Sequence, residues 1–274
     1  MAIGLSHYTL GRFDIQYAIS TMAQYSMAPR EGHMDAVQRI FGYVATYPNA
    51  MIPIDIKDAP IREQAEASMD QNWIEFYPDA CEDIPHDMPP PMGMPGKITV
   101  YVDADHARDK VTRRSVTGII LLLNNTPLVW VCKRQRTVET STYGAELVAA
   151  RLAVDLIIEM RYKLRMLGVK MEEKSVMVGD NMSVVINTTI PSSVLKKKNL
   201  ACSYHRVREA IAGRIVDFGK ILSEENLADI NTKPLGPTAF HRLVDPYLFR
   251  KLKVTTYGKE KTKEKEQKSE KVTV

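Results

Sequence analysis

The chain has 274 residues, of which 45% are hydrophobic and 26% are charged, and its formal net charge is only +4. This composition is typical of a globular protein with room for one large domain and a smaller unit. Its three cysteines are widely separated and form no CxxC pair, which argues against a zinc site and a disulfide framework. No signal peptide and no apolar run of membrane-spanning length is visible, so we expect a soluble, intracellular protein without a membrane partner.

The first third of the chain is predicted to be helical and then irregular. Apolar residues recur at helical spacing in 14–25 and again in 33–46, so residues 1–48 are expected to form a small helical segment. Residues 49–96 are rich in Pro and Met, and we interpret them as a linker with at most one strand. The linker predicts a domain boundary near residue 97.

Beyond the linker the pattern changes to strands. Apolar and β-branched runs predict an antiparallel meander of three strands at 98–105, 115–123 and 127–132. A long helix is predicted over 141–167, with Ser141 or Thr142 as its N-cap and Gly168 at its end. The remaining predicted elements are a strand at 175–179, helices at 181–188 and 203–212, a strand at 214–222 and a short helix around 225–231. This order indicates an α/β fold with a mixed sheet flanked by helices, followed by a disordered charged tail at 252–274.

Four acidic residues stand at the ends of these elements. They are Asp103 in the first strand, Glu146 near the start of the long helix, Asp180 after the fourth strand and Asp229 in the last short helix. Taken alone, Glu146 also fits a residue that complements the helix dipole, and Asp180 also fits a helix N-cap. Strand ends and helix N-termini of one sheet meet at one edge, so we expect an oxygen-rich pocket there. Such a pocket suits hard divalent cations and two-metal hydrolysis of a phosphodiester.

Four segments in this region carry a recognisable pattern. They are YVDADHARDKVTRRSVTGI (101–119), VWVCKRQRTVETSTYGAEL (129–147), VGDNMSVV (178–185) and ENLADINTKPL (225–235). In this order they resemble the ribonuclease H domain of Ty1/copia-type retrotransposon polyproteins. Residues 11–44 resemble the segment that joins reverse transcriptase to that domain, so the resemblance covers nearly everything up to about residue 250. The chain departs from the family pattern at Tyr143 and Gly144, and again at Asn199 and Ala201, which replace a His and an Asp.

The resemblance implies a ribonuclease H-like domain over 97–251 that acts as a metal-dependent endonuclease on the RNA strand of RNA–DNA hybrids. The family's four metal-binding carboxylates fall on Asp103, Glu146, Asp180 and Asp229. Two Mg²⁺ ions about 3.5–4 Å apart are implied, with Mn²⁺ as a substitute and Asp103 as the bridging ligand. Contacts to phosphate or sugar are expected from Arg113, Arg114, Ser115, Lys133, Arg136 and Asn181. For each of these residues, and for His205 as an auxiliary group in proton transfer, a solvated surface position is the alternative.

Other functions remain open at this stage. A retroelement fragment can keep the fold as a catalytically silent nucleic-acid-binding remnant, and the same fold also hosts integrases and exonucleases. Polymerase activity is not expected, because Ala104 separates the two aspartates of YVDAD. The resemblance further implies a reverse transcriptase domain or polyprotein as partner, and a cytoplasmic location in a virus-like particle or a nuclear one.

Overall fold

The computed structural model describes residues 11–61, 72–171 and 174–250. Its helices are α1 (Gln16–Ala23), α2 (Glu31–Thr46), α3 (Thr142–Met166), α4 (Met182–Thr189), α5 (Ala201–Ala212) and α6 (Pro237–Val244). Its strands are β1 (Met92–Gly96), β2 (Ile98–Asp105), β3 (Val116–Leu123), β4 (Thr126–Arg134), β5 (Val169–Met171), β6 (Ser175–Gly179) and β7 (Val216–Lys220). Within these residues, none of the helices combines the length and the apolar character that crossing a bilayer requires. The tail expected at 252–274 lies outside the described residues.

The main sheet has five strands in the order β4-β3-β2-β6-β7. Strands β2, β3 and β4 pair antiparallel, whereas β6 runs parallel to β2 and β7 runs parallel to β6. The meander, the long helix and the parallel strands were all expected from the sequence. The ribonuclease H-like α/β fold class is therefore confirmed.

The alternation of side chains along β2 divides the core between the two faces of the sheet. Val100 and Val102 belong to a core that α3, α4 and α5 cover. Tyr101 belongs to a second core, which contains the 3-10 turn Leu227–Asn231 and residues of α6. Because β2 and β6 run parallel, their carboxyl ends meet at one edge of the sheet. Elements from both faces can therefore place side chains at that edge.

Residues of the expected linker pack closely on the sheet and on α3. Ala59 and Ile61 are buried in the same core as Tyr101. Glu82 forms a salt bridge of 2.6 Å with Arg161, whose side chain is only 1% exposed. Strand β1 pairs with β5 in a separate two-stranded parallel sheet. The described residues of this segment are thus more tightly packed than its Pro-rich composition indicates, while the division into domains stays a prediction.

The C-terminal elements differ from the sequence prediction in length and type. Strand β7 is shorter than the expected 214–222, because Arg214 adopts a left-handed conformation with φ 57° before the strand begins. The short helix expected around 225–231 consists of two 3-10 turns, Ser223–Glu225 and Leu227–Asn231. Helix α6 was not predicted at all, because its Gly236–Pro237 start is typical of a loop; here Pro237 occupies the first position of the helix.

Candidate active site

Three of the four expected carboxylates meet at the edge where β2 and β6 end. One oxygen from each of Asp103, Glu146 and Asp180 lies within 4.8 Å of the other two. Asp103 is 4% exposed and Glu146 is 7% exposed. The three residues line a cleft of about 580 Å³, to which Asn181 and Lys233 also contribute. The convergence expected from the strand ends is present for this trio.

Asp103 is positioned by β2 and by a close approach on the neighbouring strand. Its partner in the β2–β3 register is Gly118. A Cβ atom at Gly118 would lie 2.6 Å from Cγ2 of Thr232 and 2.7 Å from the carbonyl oxygen of Ala228. Only glycine therefore lets the turn Leu227–Asn231 lie this close to the strand. In that position the hydroxyl of Thr232 donates a hydrogen bond to Oδ2 of Asp103.

Glu146 lies in the second turn of α3 and does not cap the N-terminus of this helix. The side chain of Ser141 caps α3 by accepting a hydrogen bond from the backbone N–H of Gly144. Burial raises the pKa of Glu146 well above its ordinary value, and the negative charges of Asp103 and Asp180 raise it further. A backbone hydrogen bond from Ala104 acts in the opposite direction. Glu146 is thus held at the cleft at a cost in electrostatic energy.

Asp180 is not the N-cap of helix α4, the alternative role that its position in the sequence also fits. The next residue, Asn181, caps α4 with its side-chain oxygen, which accepts hydrogen bonds from the backbone N–H of Ser183 at 3.1 Å and of Val184 at 3.3 Å. Asp180 instead accepts a hydrogen bond of 2.6 Å from the hydroxyl of Ser223. Its carboxylate is therefore oriented by the turn that follows β7.

Asp229 lies beside Asp103 and reaches the group from the opposite face of the sheet. The turn that carries it is anchored by Asn226, whose amide donates a hydrogen bond of 3.0 Å to the carbonyl of Val102. Burial, together with the charge of Asp103, raises the pKa of Asp229 to about 7, although Lys233 opposes this shift from 2.9 Å. Oδ1 of Asp229 is buried and has no hydrogen-bond partner within the described residues. All four carboxylates thus belong to one connected acidic group.

Lys233 and Thr232 are part of this group although sequence reasoning missed them. Burial lowers the pKa of Lys233, but Asp229, Asp103 and Asp180 outweigh that effect and raise it. The available signal was the spacing, because Lys233 follows Asp229 by four residues, close enough for the two side chains to pair. A threonine between them gave no signal, because its contact with Asp103 joins distant parts of the chain.

The donor set fits hard divalent cations. Every charged ligand in the trio is a carboxylate oxygen, which Mg²⁺ and Mn²⁺ prefer over nitrogen or sulfur. Burial, and after it the neighbouring negative charges, raise the pKa of Glu146 and of Asp229, so a bound cation would favour the ionised form of both. Oδ1 of Asp229, which has no hydrogen-bond partner within the described residues, would be available as a further ligand. The residues present are therefore suited to hold the implied ions.

The structure separates the residues that were expected to contact nucleic acid. Asn181 lines the acidic cleft. A second cavity, of about 1100 Å³, is lined by Arg113, Arg114, Lys133 and Arg136. Ser115 is fully buried, and its hydroxyl accepts a hydrogen bond from the backbone N–H of Ala107, so it holds a loop in place instead of facing a ligand. His205 is exposed on α5 and its Nδ1 is hydrogen-bonded to the Tyr77 hydroxyl at 2.7 Å; it does not belong to the described lining of the cleft.

No family model matches the chain, but several known proteins are similar to it in sequence. It is 26% identical over 239 residues to the Pol polyprotein from transposon RE1 of Arabidopsis thaliana, a match that covers 86% of the chain and 14% of that protein. It is 31% identical over 140 residues to the Pol polyprotein from transposon TNT 1-94 of Nicotiana tabacum, covering 51% of the chain and 10% of the relative. The chain is a homologue of Ty1/copia-type retrotransposon Pol polyproteins.

The match to the yeast member of these Ty1/copia polyproteins, the Ty1-JR2 Gag-Pol polyprotein of Saccharomyces cerevisiae, has 21% identity and covers 90% of the chain and 12% of that protein. The chain therefore spans only a small part of each of these relatives.

Two solved structures are also similar. The N-terminal RNase H domain of a Mycobacterium tuberculosis protein has 14% identity, a TM-score of 0.40 and coverage of 55% of the chain and 97% of the domain. An RNase H1 solved with an RNA/DNA hybrid, LC11, has 18% identity, a TM-score of 0.40 and coverage of 50% and 94%.

Proposed function

We propose that the chain is a divalent-metal-dependent ribonuclease H, an endonuclease that hydrolyses the RNA strand of RNA–DNA hybrids. The observation that carries this proposal is the buried acidic group, in which Asp103, Glu146 and Asp180 present oxygens within 4.8 Å of one another. The ribonuclease H-like sheet and the homology to Ty1/copia Pol polyproteins support a nuclease-type function at this site.

Asp103 has the central place in the proposed site. It has an oxygen close to those of Glu146 and Asp180, and it also interacts with Asp229, so it connects the trio to the fourth carboxylate. The hydroxyl of Thr232 donates to Oδ2 of Asp103 and so restrains this side chain, which lines the cleft. Two bound Mg²⁺ ions would supply a water of lowered pKa and stabilise the leaving 3′ oxygen. Mn²⁺ is expected to substitute for Mg²⁺ because both prefer oxygen ligands.

The remaining residues of the site adjust charge and position. Lys233 neutralises part of the negative charge on Asp229, which limits the repulsion that the free protein has to tolerate. Asn181 lines the cleft, and its capping hydrogen bonds use only its side-chain oxygen, so its amide N–H groups could donate to a phosphate or ribose oxygen. A hybrid would be recognised by its 2′-hydroxyls and backbone shape, not by base sequence.

The proposal extends to the setting of the reaction. The relatives are Pol polyproteins, so we propose that this chain acts beside a reverse transcriptase domain and removes RNA from freshly made hybrids. The expected intracellular location stays part of this proposal.

The test is cleavage of an end-labelled RNA annealed to DNA by the purified chain. We expect Mg²⁺-dependent cuts within the RNA strand that leave 5′-phosphate ends, no cleavage when Ca²⁺ replaces Mg²⁺, and no cleavage of single-stranded RNA or duplex DNA. A circular hybrid should be cut as well as a linear one, which separates an endonuclease from an exonuclease. Hybrid binding without any cleavage would instead identify the chain as a silent binding remnant and overturn the proposal.

A further inference from the structure

A basic groove runs between helix α1 and the edge of the meander, outside the acidic cleft. It has a volume of about 1100 Å³. One wall is formed by β4 and by the loop 106–115, and the other by one side of α1. Its lining includes seven basic and two acidic side chains, so its charge is strongly positive. This imbalance selects an anionic occupant.

The two acidic residues of the groove do not neutralise its remaining basic side chains, because each of them is already in an ion pair. Its two acidic residues are already engaged, Asp105 with Arg108 at 3.0 Å and Asp109 with Arg134 at 2.9 Å. Five further basic side chains have no carboxylate partner within the described ranges: Lys110, Arg113, Arg114, Lys133 and Arg136. Five unpaired cations around one cavity repel each other, and a polyanion relieves that repulsion.

Helix α1 is a fixed wall of the groove and not a loose leader. The ring of Phe13, just before the helix, packs 6.0 Å from that of Trp130 on β4, while Ile15 and Ile19 on the other side pack with Val37 and Ile40 of α2. The guanidinium of Arg108 donates a hydrogen bond to the hydroxyl of Tyr17 and lies 5.4 Å from the centroid of its ring. The wall is therefore held against the meander by apolar contacts and by the loop that carries the cations.

The wall on the side of α1, called the α1 wall, consists of α1 residues and of the two residues that follow the helix, and none of them is charged. They are Tyr17, Ser20, Thr21 and Ala23 of α1, followed by Gln24 and Tyr25. Hydroxyl and amide groups of this kind are common donors to phosphate and sugar oxygens, whereas an acidic wall would repel a backbone. The described lining of the α1 wall contains no acidic residue, so both walls of the groove are compatible with a negatively charged backbone.

The groove is continuous with the proposed active site. Asp105, the last residue of β2, lines both the groove and the acidic cleft. A duplex whose RNA strand lies in the cleft therefore extends along this surface. We propose that α1 and the basic wall together bind the phosphate backbone of the RNA–DNA hybrid beyond the scissile bond. The N-terminal segment would then be part of the substrate-binding surface; this inference rests on the proposed function.

A matched pair of charge substitutions tests the role of α1. Gln24→Glu puts a negative charge on the α1 wall, and Gln38→Glu makes the same change on the exposed side of α2, away from the groove. Affinity for a fluorescent hybrid is measured by anisotropy with Ca²⁺ in place of Mg²⁺, so that no cleavage interferes. We expect Gln24→Glu to raise Kd by roughly 3- to 10-fold, Gln38→Glu to change it less than about 2-fold, and Gln24→Lys to lower it.

The salt dependence of binding tests the opposite wall. Removing one cation in Arg136→Gln should reduce the slope of log K against log salt by about 1, because one fewer counterion is released. Equal effects of Gln24→Glu and Gln38→Glu, or an unchanged slope for Arg136→Gln, would overturn the inference. Cleavage is scored separately in Mg²⁺. If the groove substitutions change hybrid binding but the chain does not cleave, the proposed function is refuted and the inference about the groove stands. If the chain cleaves but binding does not depend on these substitutions, the proposed function stands and the inference is refuted.

Discussion

Replacing Asp229 with Asn should stabilise the metal-free protein at alkaline pH while removing its activity. Asp229 is 6% exposed, and burial and the charge of Asp103 raise its pKa to about 7 from an ordinary value of 3.8. A carboxyl whose pKa is raised on folding contributes its stability fully below pH 3.8, and this contribution is lost as the pH rises through about 7. Asn imitates the protonated form at every pH, so the variant avoids this loss.

The size of the effect follows from the pKa difference. About three pH units at 1.36 kcal/mol each set an upper limit of about 4 kcal/mol at pH 8. The 2.9 Å salt bridge to Lys233 is already included in the pKa of about 7, but solvent screening at the open cleft reduces the gain below this limit. We therefore expect a net gain of about 2 kcal/mol, which corresponds to a rise in Tm of roughly 4–8 °C for a chain of this size.

The assay is thermal and urea unfolding of both proteins in EDTA at pH 5 and pH 8. We expect the larger gain at pH 8 and a smaller one at pH 5, with an upper limit of about 1.6 kcal/mol, because at pH 5 the carboxyl is ionised in the unfolded chain but still protonated in the folded protein. Asp35→Asn, at an exposed position on α2, is the matched control and should change stability little at either pH. Equal effects of Asp229→Asn at the two pH values, or a loss of stability at pH 8, would refute the account of charge repulsion in the site.

Three further perturbations address other parts of the structure. Gly118→Ala should lower the cleavage rate by roughly 10- to 100-fold and the free energy of unfolding by about 1–3 kcal/mol, because its Cβ would displace the turn that carries Asp229; Gly42→Ala, with no atom within 4 Å, is its control in both assays. Lys233→Gln should destabilise the EDTA-treated protein by about 1–2 kcal/mol at pH 8, measured by urea unfolding, and Mg²⁺ should restore most of the loss. Glu82→Ala should cost about 3 kcal/mol in the same assay, because the buried guanidinium of Arg161 loses its salt bridge to this carboxylate, whereas activity per folded molecule should be unchanged.

Much of the fold could be predicted because its elements have local signatures. The apolar and β-branched runs of β2 and β3, the N-cap at Ser141 and the stop at Gly168 depend on residues close together in the sequence. Gly168 indeed has φ +76°, as the end of a helix favours. The same reasoning brought the strand-end carboxylates to one edge, because chain order and sheet direction together determine which ends coincide.

The parts that could not be predicted depend on contacts between distant residues. The close approach at Gly118 is set by a turn more than a hundred residues later, and nothing near Gly118 in the sequence indicates it. The role of Glu82 is equally hidden, because its partner Arg161 lies on another element. Ser115 illustrates the opposite error: a polar residue beside Arg113 and Arg114 suggested a ligand contact, but it is buried and satisfied by a backbone N–H.

The most direct test of the central claim is the rate of RNA-strand cleavage in Mg²⁺ by the wild-type chain and by Glu146→Gln. Glu146 faces the cleft as part of the acidic trio, and Gln keeps its size while removing its charge. Glu159→Gln makes the same change at an exposed position on the same helix and serves as the matched control, purified in parallel. The account predicts that Glu146→Gln loses cleavage by at least about 100-fold, keeps hybrid affinity in Ca²⁺, and that Glu159→Gln is as active as the wild type. Wild-type cleavage by Glu146→Gln would contradict it.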